Sequence, residues 1–89
     1  MPFEIVFGPD AVEQLQAFSV RDRAVVLDQI EVQLPYQPEV ETRRRQRLRP
    51  NALATWELRI GAIRVFYDVD ANMSYVRVIA WGEKSAIAS

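Results

Sequence analysis

The feature that most constrains this chain is a change of period near Thr55. Trp56-Glu57-Leu58-Arg59-Ile60 alternates apolar and charged residues strictly, Gly61-Ala62 supplies a turn, and Ile63-Arg64-Val65-Phe66-Tyr67-Asp68-Val69 resumes as a second run of strand formers. Two such runs around a glycine turn make a β-hairpin. Asp70-Ala71-Asn72 marks a further turn, and residues 74–81 read as one more strand. Upstream, Phe3, Ile5 and Phe7 alternate in a short first strand that Gly8-Pro9 ends. From there the spacing is helical. Asp10 with Glu13 forms a capping box and starts a helix at Ala11, with Val12, Leu15 and Phe18 as its buried stripe. Ser19 with Asp22 starts a second helix, with Ala24, Leu27, Ile30 and Leu34 at buried spacing, and Pro35 closes it. A loop then runs into an arginine cluster. The order βααβββ predicts an α+β fold of two layers, a mainly antiparallel four-stranded sheet with a helical hairpin on one face.

Eighty-nine residues provide one core, so residues 1–89 are expected to form a single domain. No apolar run approaches the roughly 18 residues of a membrane-spanning helix, so no membrane partner is expected. The start, Met1-Pro2-Phe3-Glu4, lacks a basic segment followed by a hydrophobic stretch, which makes the cytoplasm the expected location. With neither cysteine nor histidine there is no disulfide framework and no thiolate or imidazole metal site; no metal and no cofactor are expected. The formal net charge of −1 conceals a segregation. Residues 1–41 hold two arginines against eight acidic groups, and residues 42–89 hold nine Lys and Arg against four. If each half makes its own layer, the molecule has an acidic and a basic face, and the basic one focuses the approach of a polyanion.

Strand side chains alternate between faces, so Trp56, Leu58, Ile60, Ile63, Val65, Tyr67, Val69, Val76, Val78 and Ala80 are expected against the helices. The open face then carries Glu57, Arg59, Arg64, Asp68 and Arg77 interleaved with Phe66, Tyr75, Ile79 and Trp81. Guanidiniums that pair with phosphates and rings that stack on bases suit RNA. The plainer alternative is a solvated face whose charges balance one another, as Glu57 does Arg64. An apolar strip of Phe66, Ile79 and Trp81 on that face points to a protein partner. A slip of one residue in register would instead send the strip inward.

Arg43, Arg44, Arg45, Arg47 and Arg49 place five guanidiniums in seven positions, which suits RNA phosphates. Pairing with the acidic helices is the other reading. Arginine outnumbers lysine ten to one in the chain, a bias toward bidentate contact with phosphate or carboxylate.

Arg47-Leu48-Arg49-Pro50, Trp56 through Gly61 and Ile63 through Val69 resemble the middle of RelE/ParE superfamily toxins, and the leading strand and helical hairpin fit the same order. The resemblance covers residues 3 to about 84. It implies the toxin of a bacterial toxin–antitoxin pair, with a cognate antitoxin as partner. A RelE-like member is implied to be an endoribonuclease that cuts mRNA on the ribosome without a metal, and a ParE-like member to inhibit DNA gyrase. The RelE-like branch is the expectation, with a catalytically weak antitoxin-binding module as a further alternative. Carried over by position, Arg64 and Arg59 match basic residues of the hairpin strands, and Lys84 matches a further one after Gly82. Glu57 stands where the best-known member has lysine, and the resemblance offers it as a general base for the 2′-hydroxyl. A tyrosine implied near the end has no counterpart in Ser85-Ala86-Ile87-Ala88-Ser89, so a slower nuclease is expected.

Overall fold

Gly61 makes the central hairpin possible. Ile60 pairs with Ile63, which leaves a two-residue turn, and Gly61 takes its left-handed position at φ 60°. The computed structural model describes residues 2–83. In chain order these form β1 (Glu4–Phe7), α1 (Pro9–Leu15), α2 (Val20–Gln33), β2 (Arg45–Arg47), β3 (Trp56–Ile60), β4 (Ile63–Asp70) and β5 (Tyr75–Glu83). The sheet order is β1-β5-β4-β3-β2; β1 lies parallel to β5 and the other pairs are antiparallel. The α+β fold and its mainly antiparallel sheet are as the sequence predicts, with five strands in place of four.

The additional strand is β2, within the arginine run read as loop. Three residues carry no propensity signal of their own; β2 exists because Arg45, Gln46 and Arg47 pair with Leu58, Glu57 and Trp56. The Thr42 hydroxyl accepts from the Arg44 and Arg45 amides at 3.2 and 3.1 Å and so turns the chain into the strand.

The first helix begins differently from expectation, and both face slightly differently. Gly8 is the N-cap of α1 and Pro9 its first residue, where a fixed φ is favourable, so Asp10 sits inside the first turn and caps nothing. Ala11 is buried, Leu15 and Phe18 partly so, and Val12 is exposed, one step round the helix from that face. In α2 the Ser19 hydroxyl accepts from the Asp22 amide at 3.1 Å, as the sequence indicates. Its buried stripe is Val26, Ile30 and Leu34, with Leu27 partly buried. Ala24 is exposed, lying roughly 200° round the helix from Val26.

The core lies between helices and sheet and contains Val26, Ile30, Leu34, Trp56, Leu58, Val65, Tyr67, Val76 and Val78, so the predicted core face of the central strands is correct. Tyr67 stacks on Trp56 with ring centroids 6.2 Å apart, and its hydroxyl donates to the Pro38 carbonyl at 2.8 Å. Burial pushes this phenol far above the ordinary tyrosine range. A raised folded-state value means that stability is complete below pH of about 10, where the unfolded tyrosine is still neutral, and falls as pH rises beyond it. Urea titrations at pH 8 and 11 are expected to show that fall in the wild type and a smaller one in Tyr67→Phe.

One irregularity reverses part of the predicted face assignment. On β5 the pairing steps from Tyr67↔Val78 to Phe66↔Ala80, so Ile79 is an extra residue opposite the Phe66/Tyr67 junction, a β-bulge. Beyond it the alternation is inverted: Trp81, opposite Val65, enters the core and Ala80 turns to the open face. Trp81 is 4% exposed, with Phe7 and Phe18 at 5.7 and 6.1 Å between ring centroids. The open-face position expected for Trp81 is therefore corrected, and Ala80 is not a helix-facing residue.

Candidate active site

On the face away from the helices, Arg59 of β3 lies directly opposite Arg64 of β4. Like charges so placed repel. Glu57, two residues before Arg59 and therefore on the same face, offsets that repulsion. Its Oε1 accepts from Arg59 Nε at 2.9 Å, and Arg64 Nη1 lies 3.2 Å from Oε1 and 3.3 Å from Oε2. The Glu57 side chain is 5% exposed, against 43% for Arg59 and 20% for Arg64. Two guanidiniums around one carboxylate carry a local charge of +1, and the arginines form the outer surface.

Gln46 on β2 and Phe66 on β4 flank Glu57 across the strands. Gln46 is the open-face neighbour that the sequence reading missed, since it depends on β2; the alternation Arg45-Gln46-Arg47 was the available signal. Asp68, further along the same face, accepts the Thr55 amide at 2.7 Å and pairs in register with Arg77. Arg77 is exposed, but its row is four residues along β4 from Arg64, roughly 13 Å, so it stands apart from the cluster.

Of the residues proposed for catalysis, Glu57, Arg59 and Arg64 are brought together, and Lys84 lies outside the described residues, as does the terminal segment without tyrosine. The arginine run divides. Arg45, opposite Leu58, turns to the helix side and is 8% exposed; it donates from Nε to the Val40 carbonyl at 3.1 Å and from Nη1 to those of Gln33 and Tyr36 at 2.6 and 3.3 Å. A cation at the carbonyl end of α2 is favourable. Its place in an RNA-contacting surface is corrected: this guanidinium ties β2 to the helix. Arg45→Ala removes the donor to three part-buried carbonyls and is expected to cost about 2 kcal/mol of stability, read from the shift in urea midpoint.

Arg47 is exposed on the helix side, 5.9 Å over the Trp56 ring. Arg43, Arg44 and Arg49 are exposed beside β2, with Arg44 Nη1 3.3 Å from Gln29 Oε1. Of the apolar strip, Trp81 is in the core and Phe66, on the open face, is 5% exposed, too covered to offer a docking surface; Ile79 is partly exposed at the bulge, lining a cleft with Arg77, Gly8, Pro9 and Asp10. Among the described residues no group of three or more His, Cys, Asp or Glu is arranged to hold a metal, and no helix is long and apolar enough to cross a membrane.

This mixed five-stranded sheet, with the two helices on one face and Arg59 and Arg64 of the hairpin on the other, has the overall fold of solved RelE toxins. The chain is similar to the RelBE2 toxin–antitoxin complex of Mycobacterium tuberculosis, with TM-score 0.81, 23% identity and coverage of 93% of this chain and 92% of that one. It is similar to the archaeal RelE–RelB complex of Pyrococcus horikoshii, with TM-score 0.75, 17% identity and coverage of 94% and 97%. An arginine-substituted mutant of Escherichia coli toxin RelE in the free state gives TM-score 0.75, 20% identity and coverage of 99% and 90%. No protein-family model and no curated protein sequence matches the chain. At these identities the likeness is one of fold.

Proposed function

We propose that this chain is the toxin of a toxin–antitoxin pair, a metal-independent endoribonuclease that cuts mRNA on the ribosome. The observation that carries the reading is the Glu57-Arg59-Arg64 cluster on the open face of a RelE-type sheet. In such a cleavage the ribose 2′-oxygen attacks phosphorus, the bond to the 5′-oxygen breaks, and a 2′,3′-cyclic phosphate and a 5′-hydroxyl result. Charge grows on the phosphoryl oxygens in the transition state. Arg64 and Arg59, fixed beforehand by Glu57, are donors aimed where that charge develops. The exposed Arg43, Arg44, Arg47 and Arg49 add phosphate contacts beside the sheet edge, and Arg77 extends the cationic surface along the open face.

The partner is a cognate antitoxin, supported by two structural relatives that are toxin–antitoxin complexes. Its contact surface on the open face includes Ile79 with Arg77. Action on translating ribosomes places the protein in the cytoplasm. The test is induction of the chain in a bacterial host without its antitoxin, followed by primer extension on a reporter message. The reading requires cuts in ribosome-bound message and an early halt in translation. Uncut message with gyrase stalled on DNA would overturn it in favour of a ParE-like activity.

A further inference from the structure

We infer that Glu57 is the positioning residue of the arginine pair and not the base that takes the 2′-hydroxyl proton. The inference rests on the nuclease reading and assigns this carboxylate a role other than the general base suggested for it on the sequence.

A general base must reach the proton it abstracts. Glu57 is placed otherwise. Its side chain is 5% exposed while Arg59 is 43% exposed, so the carboxylate lies beneath the surface that substrate meets. Both its oxygens are within reach of guanidinium donors, Oε1 of Arg59 Nε and both of Arg64 Nη1. Its cross-strand neighbours Gln46 and Phe66 carry no charge, and Asp68, the next open-face acid on β4, is engaged by the Thr55 amide. Among the described residues the charged groups around Glu57 are therefore the two arginines, which hold it as an acceptor.

The same geometry shows what the carboxylate does for them. Arg59 and Arg64 face one another across the hairpin, and without an anion between them they would swing apart into solvent. Each guanidinium has five N–H groups, and contact with Glu57 occupies only part of that set. The remaining donors are left for phosphoryl oxygens, on side chains that are more exposed than the carboxylate. Glu57 thus acts through Arg59 and Arg64, and the 2′-hydroxyl proton leaves to water or to a ribosomal group.

The experiment uses the full chain in single-turnover cleavage of ribosome-bound message across pH 5 to 9, with wild type, Glu57→Gln and Glu57→Asp. Glutamine retains one acceptor oxygen and loses the charge, so the expected rate loss is about 10²-fold, of the size that misplacing a catalytic group produces. The shape of the pH–rate profile is expected to be the same in Glu57→Gln as in wild type, because no step depends on proton uptake by this carboxylate. In ¹⁵N NMR of the free protein, the Arg59 Nε–H resonance is expected to be sharp and slow to exchange in wild type and broadened in Glu57→Gln. If the acidic limb of the profile disappears in Glu57→Gln while the Arg59 resonance is unchanged, Glu57 is the base and the inference fails. Absence of cuts by the wild type is a different outcome, which sinks the nuclease reading and leaves the NMR arm to report on positioning alone.

Discussion

Arg64→Ala is expected to lower ribosome-dependent cleavage by about 10²- to 10³-fold, the usual consequence of removing one preorganised donor from a site where negative charge develops. Arg64 is the more buried of the two arginines: it is 20% exposed, sits in the eight-residue central strand β4, and has Nη1 against the Glu57 carboxylate. Truncation removes those donors without opening the core, since the side chain lies on the face away from the helices. The fold is therefore expected to survive, with a thermal midpoint close to that of the wild type. Primer extension on a reporter message, run beside a circular dichroism melt, separates the two effects. Equal cutting by Arg64→Ala and wild type would show that the cluster is a structural ion network.

Trp81→Ala carries the largest expected change in stability, about 3 to 5 kcal/mol for a buried tryptophan. The indole is 4% exposed and in contact with Phe7 and Phe18, and its backbone amide donates to the Gln14 side-chain oxygen at 3.0 Å. Trp81 thus joins β5 to both β1 and α1. Were it on the open face, its loss would be expected within about 0.5 kcal/mol. A domain of this size has a total stability of about 5 to 15 kcal/mol, so the alanine variant approaches the point of unfolding. Trp81→Phe, which keeps a ring in the cluster, supplies a folded intermediate case. Urea midpoints for the pair decide the matter, and a change under 1 kcal/mol in Trp81→Ala overturns the placement.

Those two residues also mark where the sequence is legible and where it is not. Arg59, Arg64 and Glu57 fall on one face by strict alternation around a glycine turn, and this local rule survives folding because the hairpin is regular. Trp81 obeys the same rule up to Ile79, where one unpaired residue inverts it. Nothing in Tyr75-Val76-Arg77-Val78-Ile79-Ala80-Trp81 announces the bulge; it arises in pairing with β4, a property of two strands together. Arg45 was illegible for a related reason. Arg43, Arg44 and Arg45 look alike in sequence, and only the docking of β2 against Leu58 turns Arg45 toward the end of α2.

The parallel pairing of Glu4 with Tyr75 has a consequence for the newborn chain. Contacts between segments so far apart in sequence must overcome a large loop-closure entropy, and they form late. The arginine hairpin made by β3 and β4 is by itself a two-stranded unit, marginal in water until more of the sheet joins it. Synthesis delivers β5 after that hairpin, and β1, made before it, waits unpaired until β5 follows. A nascent chain that has not yet made β5 thus carries Glu57, Arg59 and Arg64 on a scaffold that lacks the strand beside β4.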